Sequence, residues 1–200
     1  MFGLGMEHAE ETGLAERLAA DLQGGFTELV QVHAAAVRTF LLRMSGSPSE
    51  ADDLGQETFL RAYGALRGYS PDRRRALRPR PWLMTIAANA WRNHVRSAIR
   101  HPVTALPDGE AGGWPDRGPG PEERAETALD RDMLTAALVL LPETYRVAVV
   151  LRHVLGMSYA EVAVVQQCPV GTAKARVSRG LTGLRELLGA DGGQPREVTM

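Results

Sequence analysis

Apolar positions recur every three or four residues in two blocks of the chain, and strand-like alternation is nearly absent, so the pattern predicts helices. The first helix covers about residues 25–45. The second has a marked start: Ser47, Pro48 and Glu50 place a cap, a first-turn proline and a capping-box acid in order, and the helix runs to about Leu66. RGYSPDRRRALRPR, residues 67–80, reads as a loop. Pro81 opens a third helix that must stop before Pro102. In the second block a helix is expected near 125–140 and another from Pro142 to Gly156. Ser158 and Glu161 form a second capping box over a short helix at about 159–166. Gln167-Cys168-Pro169 then turns the chain into a helix of about 170–188, closed by Gly189. A short helix, a tight turn and a longer helix make a helix-turn-helix.

Between the blocks, residues 102–124 read PVTALPDGEAGGWPDRGPGPEER, rich in Pro and Gly and without a period, which predicts a flexible tether. The tail from Gly189 onward is expected to be mobile. The pattern therefore predicts an all-α protein of two small helical domains joined by a flexible acidic linker. Its divisions are an N-terminal extension (1–24), a first domain (25–101), the linker (102–126), a second domain (127–189) and a tail (190–200).

Composition adds limits. Net charge is −1 and hydrophobic content 44%, both ordinary for a globular chain. No apolar run is long enough to span a membrane, and the acidic start lacks the apolar centre of a secretion signal. The single cysteine, Cys168, allows no intrachain disulfide, and a reducing cytoplasm fits. Local charge says more than the total. Residues 26–101 carry net +6, residues 102–132 net −5 and residues 133–190 net +3. Two basic blocks are thus joined by an acidic one, and each could meet phosphate.

Three faces stand out. In the last helix Ala173, Val177, Leu181, Leu184 and Leu188 form an inward apolar stripe. Thr172, Ala175 and Arg179, with Gly171 and Ser178, lie opposite it, flanked by Lys174 and Arg176. Small residues with a few donors suit close approach to a major groove. A helical hairpin with a solvated basic face is the plainer alternative. In the third helix Leu83, Ile86, Ala87, Ala90 and His94 point inward, while Thr85, Asn89, Arg92 and Arg96 share the other face. Trp82 and Trp91 flank that face, and Tyr69, Arg73, Arg74, Arg75, Arg78 and Arg80 crowd the loop before it. Basic residues interleaved with aromatics suit single strands; the alternative is that the tryptophans are core. In the second helix Ala51, Gly55, Phe59, Ala62 and Leu66 are expected inside, with Asp52, Asp53, Gln56, Glu57 and Leu60 outward. The carboxylates would repel phosphate, and an exposed leucine among them suits a basic protein partner, unless the face is merely solvated.

Four segments in order, ADDLGQETFLRAY, RPWLMTIAANAWRNHVR, LPETYRVAVVLRHVLGMSYAEVA and CPVGTAKARVSRGLTGLREL, resemble the conserved regions of extracytoplasmic-function sigma factors of RNA polymerase. The resemblance covers about 26–101 and 127–188. It implies that the first domain is sigma region 2, a helical bundle, and the second sigma region 4, with the helix-turn-helix. Asp52, Asp53, Gln56, Glu57 and Leu60 would then dock on the β′ clamp helices of core polymerase. Tyr69, Arg78, Arg80, Trp82, Asn89, Arg92 and Arg96 would recognise and open the minus-ten element of promoter DNA, with one base flipped out. Thr172, Lys174, Ala175, Arg176 and Arg179 would read the minus-thirty-five duplex, while region 4 also touches the β flap. An anti-sigma factor is expected as a further partner; cofactors, metals, catalytic residues and membrane insertion are not. The chain departs from the family at Asn93, where Asp is common, at Ala88, Ala173 and Ala175, and in its long arginine-rich loop.

Two rivals are weighed against this reading. A stand-alone helix-turn-helix regulator would explain residues 158–188 but not the surfaces in 48–100. An enzyme would need a convergent nucleophile, metal cluster or phosphate loop, and the sequence offers none. Cys168 and His153 are two candidate zinc ligands, short of the four of a structural site.

Overall fold

A computed structural model describes residues 3–100 and 133–191. Helix α1 spans Gly3–Ala20, α2 Leu22–Ser45, α3 Pro48–Arg67, α4 Pro71–Arg75 and α5 Pro79–Arg100. In the second block α6 covers 133–140, α7 is Glu143–Val149 and continues into a π turn at Val150–Val154, α8 is Tyr159–Val165 and α9 Val170–Asp191. No strand occurs among the described residues. The expected linker, the tail beyond Asp191, His101 and the start of the 125–140 helix lie outside them.

Capping chemistry sets most boundaries. Asp21 accepts from the amides of Gln23 and Gly24 at the start of α2. That helix ends where Gly46 turns left-handed at φ 75° and its N–H reaches Leu42 O. Ser47 then caps α3, with Pro48 in its first turn. Both reciprocal bonds of the Ser158–Glu161 box are made over α8. Past α8, Gln167 takes φ 50° and Cys168 N–H bonds Ala163 O, which aims α9. Three expectations change. Ser70 caps a short helix, α4, inside the stretch read as loop. Helix α5 begins at Pro79 rather than Pro81, and α9 continues past Gly189 to Asp191.

The N-terminal module packs α1, α2, α3 and α5 around Leu29, Phe40, Leu41, Met44, Leu66, Leu83 and Met84, all fully buried. Residues 1–24, expected to be an extension, contribute Leu14, Ala15, Leu18 and Ala19 to this same core. Gly25 makes that possible: a Cβ there would lie 2.6 Å from Leu18 N, so only glycine admits so close a crossing of α1 and α2. In the C-terminal module Leu138, Val150, Leu151, Met157, Val162, Val165, Ala173 and Val177 are buried. Leu184 completes the stripe of α9, but Leu188 is 39% exposed and the half-buried Leu187 packs in its place.

The two modules meet, and their cores run together in one cluster. Arg146 of α7 is 9% exposed and donates to Met44 O at the end of α2 (2.5 Å), to Leu141 O (3.1 Å) and to Val139 O. Arg43 bonds Thr135, and α8 lies against α5.

Two outcomes follow from this packing. A Cβ on Gly180 would stand 2.5 Å from Val149 Cγ2 and 3.1 Å from Tyr145 O, so Gly180→Ala pushes α9 off α7. Overpacking of this kind costs about 1–3 kcal/mol, measurable as a lower urea midpoint with an unchanged slope. His33 is buried on α2 with Nε2 unpartnered. Burial, and then the charge of Arg80, push its imidazole from 6.5 down to about 4. Between these values the unfolded chain holds a proton that the folded chain lacks, so stability falls as pH drops from above 6.5 towards 4. By pH 5 the loss reaches about 2 kcal/mol, and His33→Gln should remove it from urea melts compared at pH 7.5 and pH 5.

Candidate nucleic-acid interface

Helix α9 presents the face that the sequence assigned to duplex reading. Gly171, Thr172, Lys174, Ala175, Ser178 and Arg179 are exposed, while Ala173 and Val177 are buried behind them. Arg176 is half-buried and donates to Gln166 Oε1 at 3.2 Å; Gln166 in turn donates to Thr144 O at 2.7 Å. Lys174 Nζ sits 5.7 Å from the ring centre of Tyr159, which also carries Arg152 at 4.9 Å. These contacts hold the cations at the start of a long helix, whose unpaired N–H groups favour phosphate.

In the N-terminal module α4 packs the arginine-rich stretch against α1. Arg74 Nε donates to Leu66 O at 2.9 Å, and Arg75 pairs with Asp72 and with Glu16 of α1. The two carboxylates hold the Arg75 guanidinium above its ordinary range, with Glu16 contributing most. Arg73 lies over the Tyr69 ring, 3.7 Å from its centre. Tyr69 meets Trp82 edge-on at 6.3 Å. Beside this pair lies a cavity of about 320 Å³, lined by Arg61, Ala65, Tyr69, Trp82, Ile86 and Asn89. Aromatic faces, an amide and a guanidinium around one open pocket can stack and hydrogen-bond an unpaired base. Sequence reasoning put Tyr69, Trp82 and Asn89 here but missed Arg61, Ala65 and Ile86. Their spacing carried the signal: 61, 65 and 69 step by four from α3 into its exit, and 82, 86 and 89 follow one stripe of α5.

Three of the remaining arginines of this set are engaged elsewhere. Arg78 pairs with Glu161 at 3.4 Å, Arg80 donates to Leu155 O, and Arg92 lies 3.9 Å from Glu143. All three partners belong to the C-terminal module. Arg96 is exposed on the last turns of α5. Trp91 is core, 8% exposed, while Trp82 is half-buried at the cavity. His94, expected inside, is half-exposed and faces Glu50 at 3.6 Å; Ile86 is likewise half-buried, because it lines the cavity.

On α3 the buried side differs from the expected one. Leu54 and Thr58 point inward with Ala51, Ala62 and Leu66, and Thr58 Oγ1 satisfies itself on Leu54 O at 2.7 Å. Gly55 and Phe59 instead line a groove of about 1220 Å³ between α2 and α3, with Phe26, Val30, Leu60 and Tyr63. Leu60 is 73% exposed at its rim. Asp53 and Gln56 are exposed beside it. Asp52 pairs with Arg38 at 2.7 Å and Glu57 with Arg61 at 2.5 Å. The outward set is therefore together on one side, next to an apolar trough that the sequence did not reveal.

Among the described residues no helix is long and apolar enough to cross a membrane. A family model for Sigma-70 region 2 matches residues 29–101, and one for Sigma-70 region 4 matches residues 131–184. The chain is 38% identical over 176 residues to the RNA polymerase sigma factor CarQ of Myxococcus xanthus, covering 87% of this chain and 95% of CarQ. It is 36% identical over 162 residues to the ECF RNA polymerase sigma factor SigE of Mycolicibacterium smegmatis, spanning 80% of this chain and 60% of SigE. Among solved structures, CnrH in complex with the cytosolic domain of CnrY matches with a TM-score of 0.66 at 27% identity, over 90% of this chain and 98% of that one. The sigma factor RpoE in complex with the anti-sigma factor NepR from Bartonella quintana matches with a TM-score of 0.64 at 26% identity, over 83% and 98%. With both sigma regions in order, and relatives matched over most of their length, the chain belongs to the extracytoplasmic-function sigma factors, specificity subunits that bring core RNA polymerase to promoters and are not enzymes themselves.

Proposed function

We propose that the two modules divide promoter recognition between them in the cytoplasm, each through the residues the sequence singled out. In region 4, Thr172, Lys174, Ala175, Arg176 and Arg179 read the minus-thirty-five duplex from the major groove, and the outer surface of the module touches the β flap. In region 2, Tyr69, Arg78, Arg80, Trp82, Asn89, Arg92 and Arg96 take the minus-ten strand. The observation that carries this reading is the open cavity beside Tyr69 and Trp82. A base leaving the duplex forfeits stacking worth a few kcal/mol, and a ring pocket returns part of it. The remaining arginines offer charge to the displaced strand.

Core polymerase is met on a different side of region 2, through Asp52, Asp53, Gln56, Glu57 and Leu60 beside the α2–α3 groove. Carboxylates around an exposed leucine and an apolar trough suit a basic helical partner such as the β′ clamp helices and repel DNA. Because CnrH and RpoE are seen bound to CnrY and to the anti-sigma factor NepR, an anti-sigma factor is the expected regulator here as well.

Charge reversal at both Asp53 and Glu57 should abolish co-purification with core polymerase while leaving the thermal melt of the chain unchanged. Retained co-purification would remove this face from the docking surface. Arg179→Ala, assayed in holoenzyme on duplex carrying the minus-thirty-five element, should weaken binding by about 1–3 kcal/mol if the guanidinium contacts a base edge. Equal losses on promoter and on unrelated DNA would assign Arg179 to phosphate instead.

A further inference from the structure

Residues 73, 74 and 75 are three consecutive arginines, and the structure sends them to three different places. Arg73 lies over one face of the Tyr69 ring, 3.7 Å from its centre. Arg74 Nε donates to Leu66 O at the end of α3. Arg75 reaches back to α1, where its Nε donates to Glu16 Oε2 at 2.9 Å, while its Nη1 donates to Asp72 Oδ1 at 2.8 Å. Helix α4, which carries all three, has five residues and none of them is buried. A helix so short does not hold itself together in water. Ser70 caps it, and its ties to α1 and α3 do the rest.

Helix α1 is a firm place to tie to. Leu14, Ala15, Leu18 and Ala19 are buried on its inner side, and Arg17, next to Glu16, pairs with Glu28 of α2. Glu16 itself is exposed on the outer side. Neither Arg73 nor Arg75 lines the cavity beside Tyr69 and Trp82. They reach it only through the Tyr69 ring, which Arg73 covers on one face and Trp82 meets edge-on. A ring already held in place stacks a base without the cost of being ordered at that moment.

We propose that Glu16 is a positioning residue for the base cavity: by holding Arg75 it fixes α4, α4 fixes Arg73 on Tyr69, and Tyr69 is thereby set to stack a base of the minus-ten strand. The inference rests on the reading of that cavity as the seat of an unpaired base. It gives α1, which lies before the segment matched to Sigma-70 region 2 at residues 29–101, a part in promoter opening.

The test uses the full chain assembled with core polymerase, on a promoter fragment mapped by run-off transcription and held open by mismatches across its minus-ten element. Glu16→Arg sets a like charge against Arg75. It also adds positive charge, which by itself strengthens binding to DNA, so a loss must come from position. Heparin-resistant binding should fall about three- to fivefold, with little change in the thermal melt of the chain, because an exposed ion pair adds little to stability. Glu16→Arg combined with Arg75→Glu restores the pair with its signs exchanged and the net charge of the parent, and should recover most of the loss. Tyr69→Ala should weaken binding by about fivefold or more. In that background Glu16→Arg should cost nothing further, since the ring it positions is gone; a merely structural defect would add its loss to that of Tyr69→Ala. Additive losses, full binding in Glu16→Arg, or a loss that the charge exchange leaves in place overturns the proposal. Should Glu16→Arg fail to fold, Glu16→Gln, with a loss of about twofold, takes its place in the same comparison with Tyr69→Ala. If Tyr69→Ala binds like the parent, the cavity reading fails and the inference with it. If Tyr69→Ala binds weakly and Glu16→Arg does not, the inference alone fails.

Discussion

Arg146 takes a permanent positive charge into the junction of the two modules, where its hydrogen-bond acceptors are peptide carbonyls: Val139 O and Leu141 O from its own module and Met44 O from the other. Desolvation pushes its pKa down, only partly opposed by Glu143, and Nε is buried without a partner. A guanidinium does not shed its proton in a protein, so the charge must be kept satisfied by those oxygens. This single side chain fixes the turn between α6 and α7 to the end of α2. From that anchor the π turn lies against α2 and α8 against α5, with Leu155 O at Arg80 and Glu161 at Arg78.

Helix α5 is consequently asked to do three things with one period. Leu83, Met84, Ala87 and Trp91 supply the core; Trp82, Ile86 and Asn89 line the cavity beside Tyr69; Arg92 faces the other module. A helix can serve three directions because its faces lie about a third of a turn apart. The third direction is taken up by the other module, which meets Arg92 through Glu143. The groove between α2 and α3 is lined by no residue of α5.

Elements with local signals were legible in the sequence. The capping sets at Ser47 and Ser158 and the turn at Gln167 are each written within four residues, and the structure uses them with one exception: Ser47 N–H donates to Ser45 Oγ, so Glu50 does not close a capping box over α3. The exposed side of α9 was legible for the same reason, because burial of Ala173 and Val177 leaves one choice for Lys174 and Arg179. The inward side of α3 was not, since that helix packs against both α2 and α5 and the balance between them turns Leu54 and Thr58 inward. Helix α1 was missed because Leu14 and Leu18 make too short a stripe to separate from a polar start. The contacts of Arg78, Arg80 and Arg92 with region 4 were beyond reach: contacts between residues some fifty to eighty positions apart leave no period to read.

As proposed, this chain carries its own reading surfaces for both promoter elements and a separate seat for polymerase. Run-off transcription with purified core polymerase on genomic fragments, followed by mapping of the 5′ ends, tests that claim most directly. The account predicts discrete start sites that depend on adding the chain and that share two upstream elements at fixed spacing. Starts that are scattered, or that are the same with core polymerase alone, would contradict it.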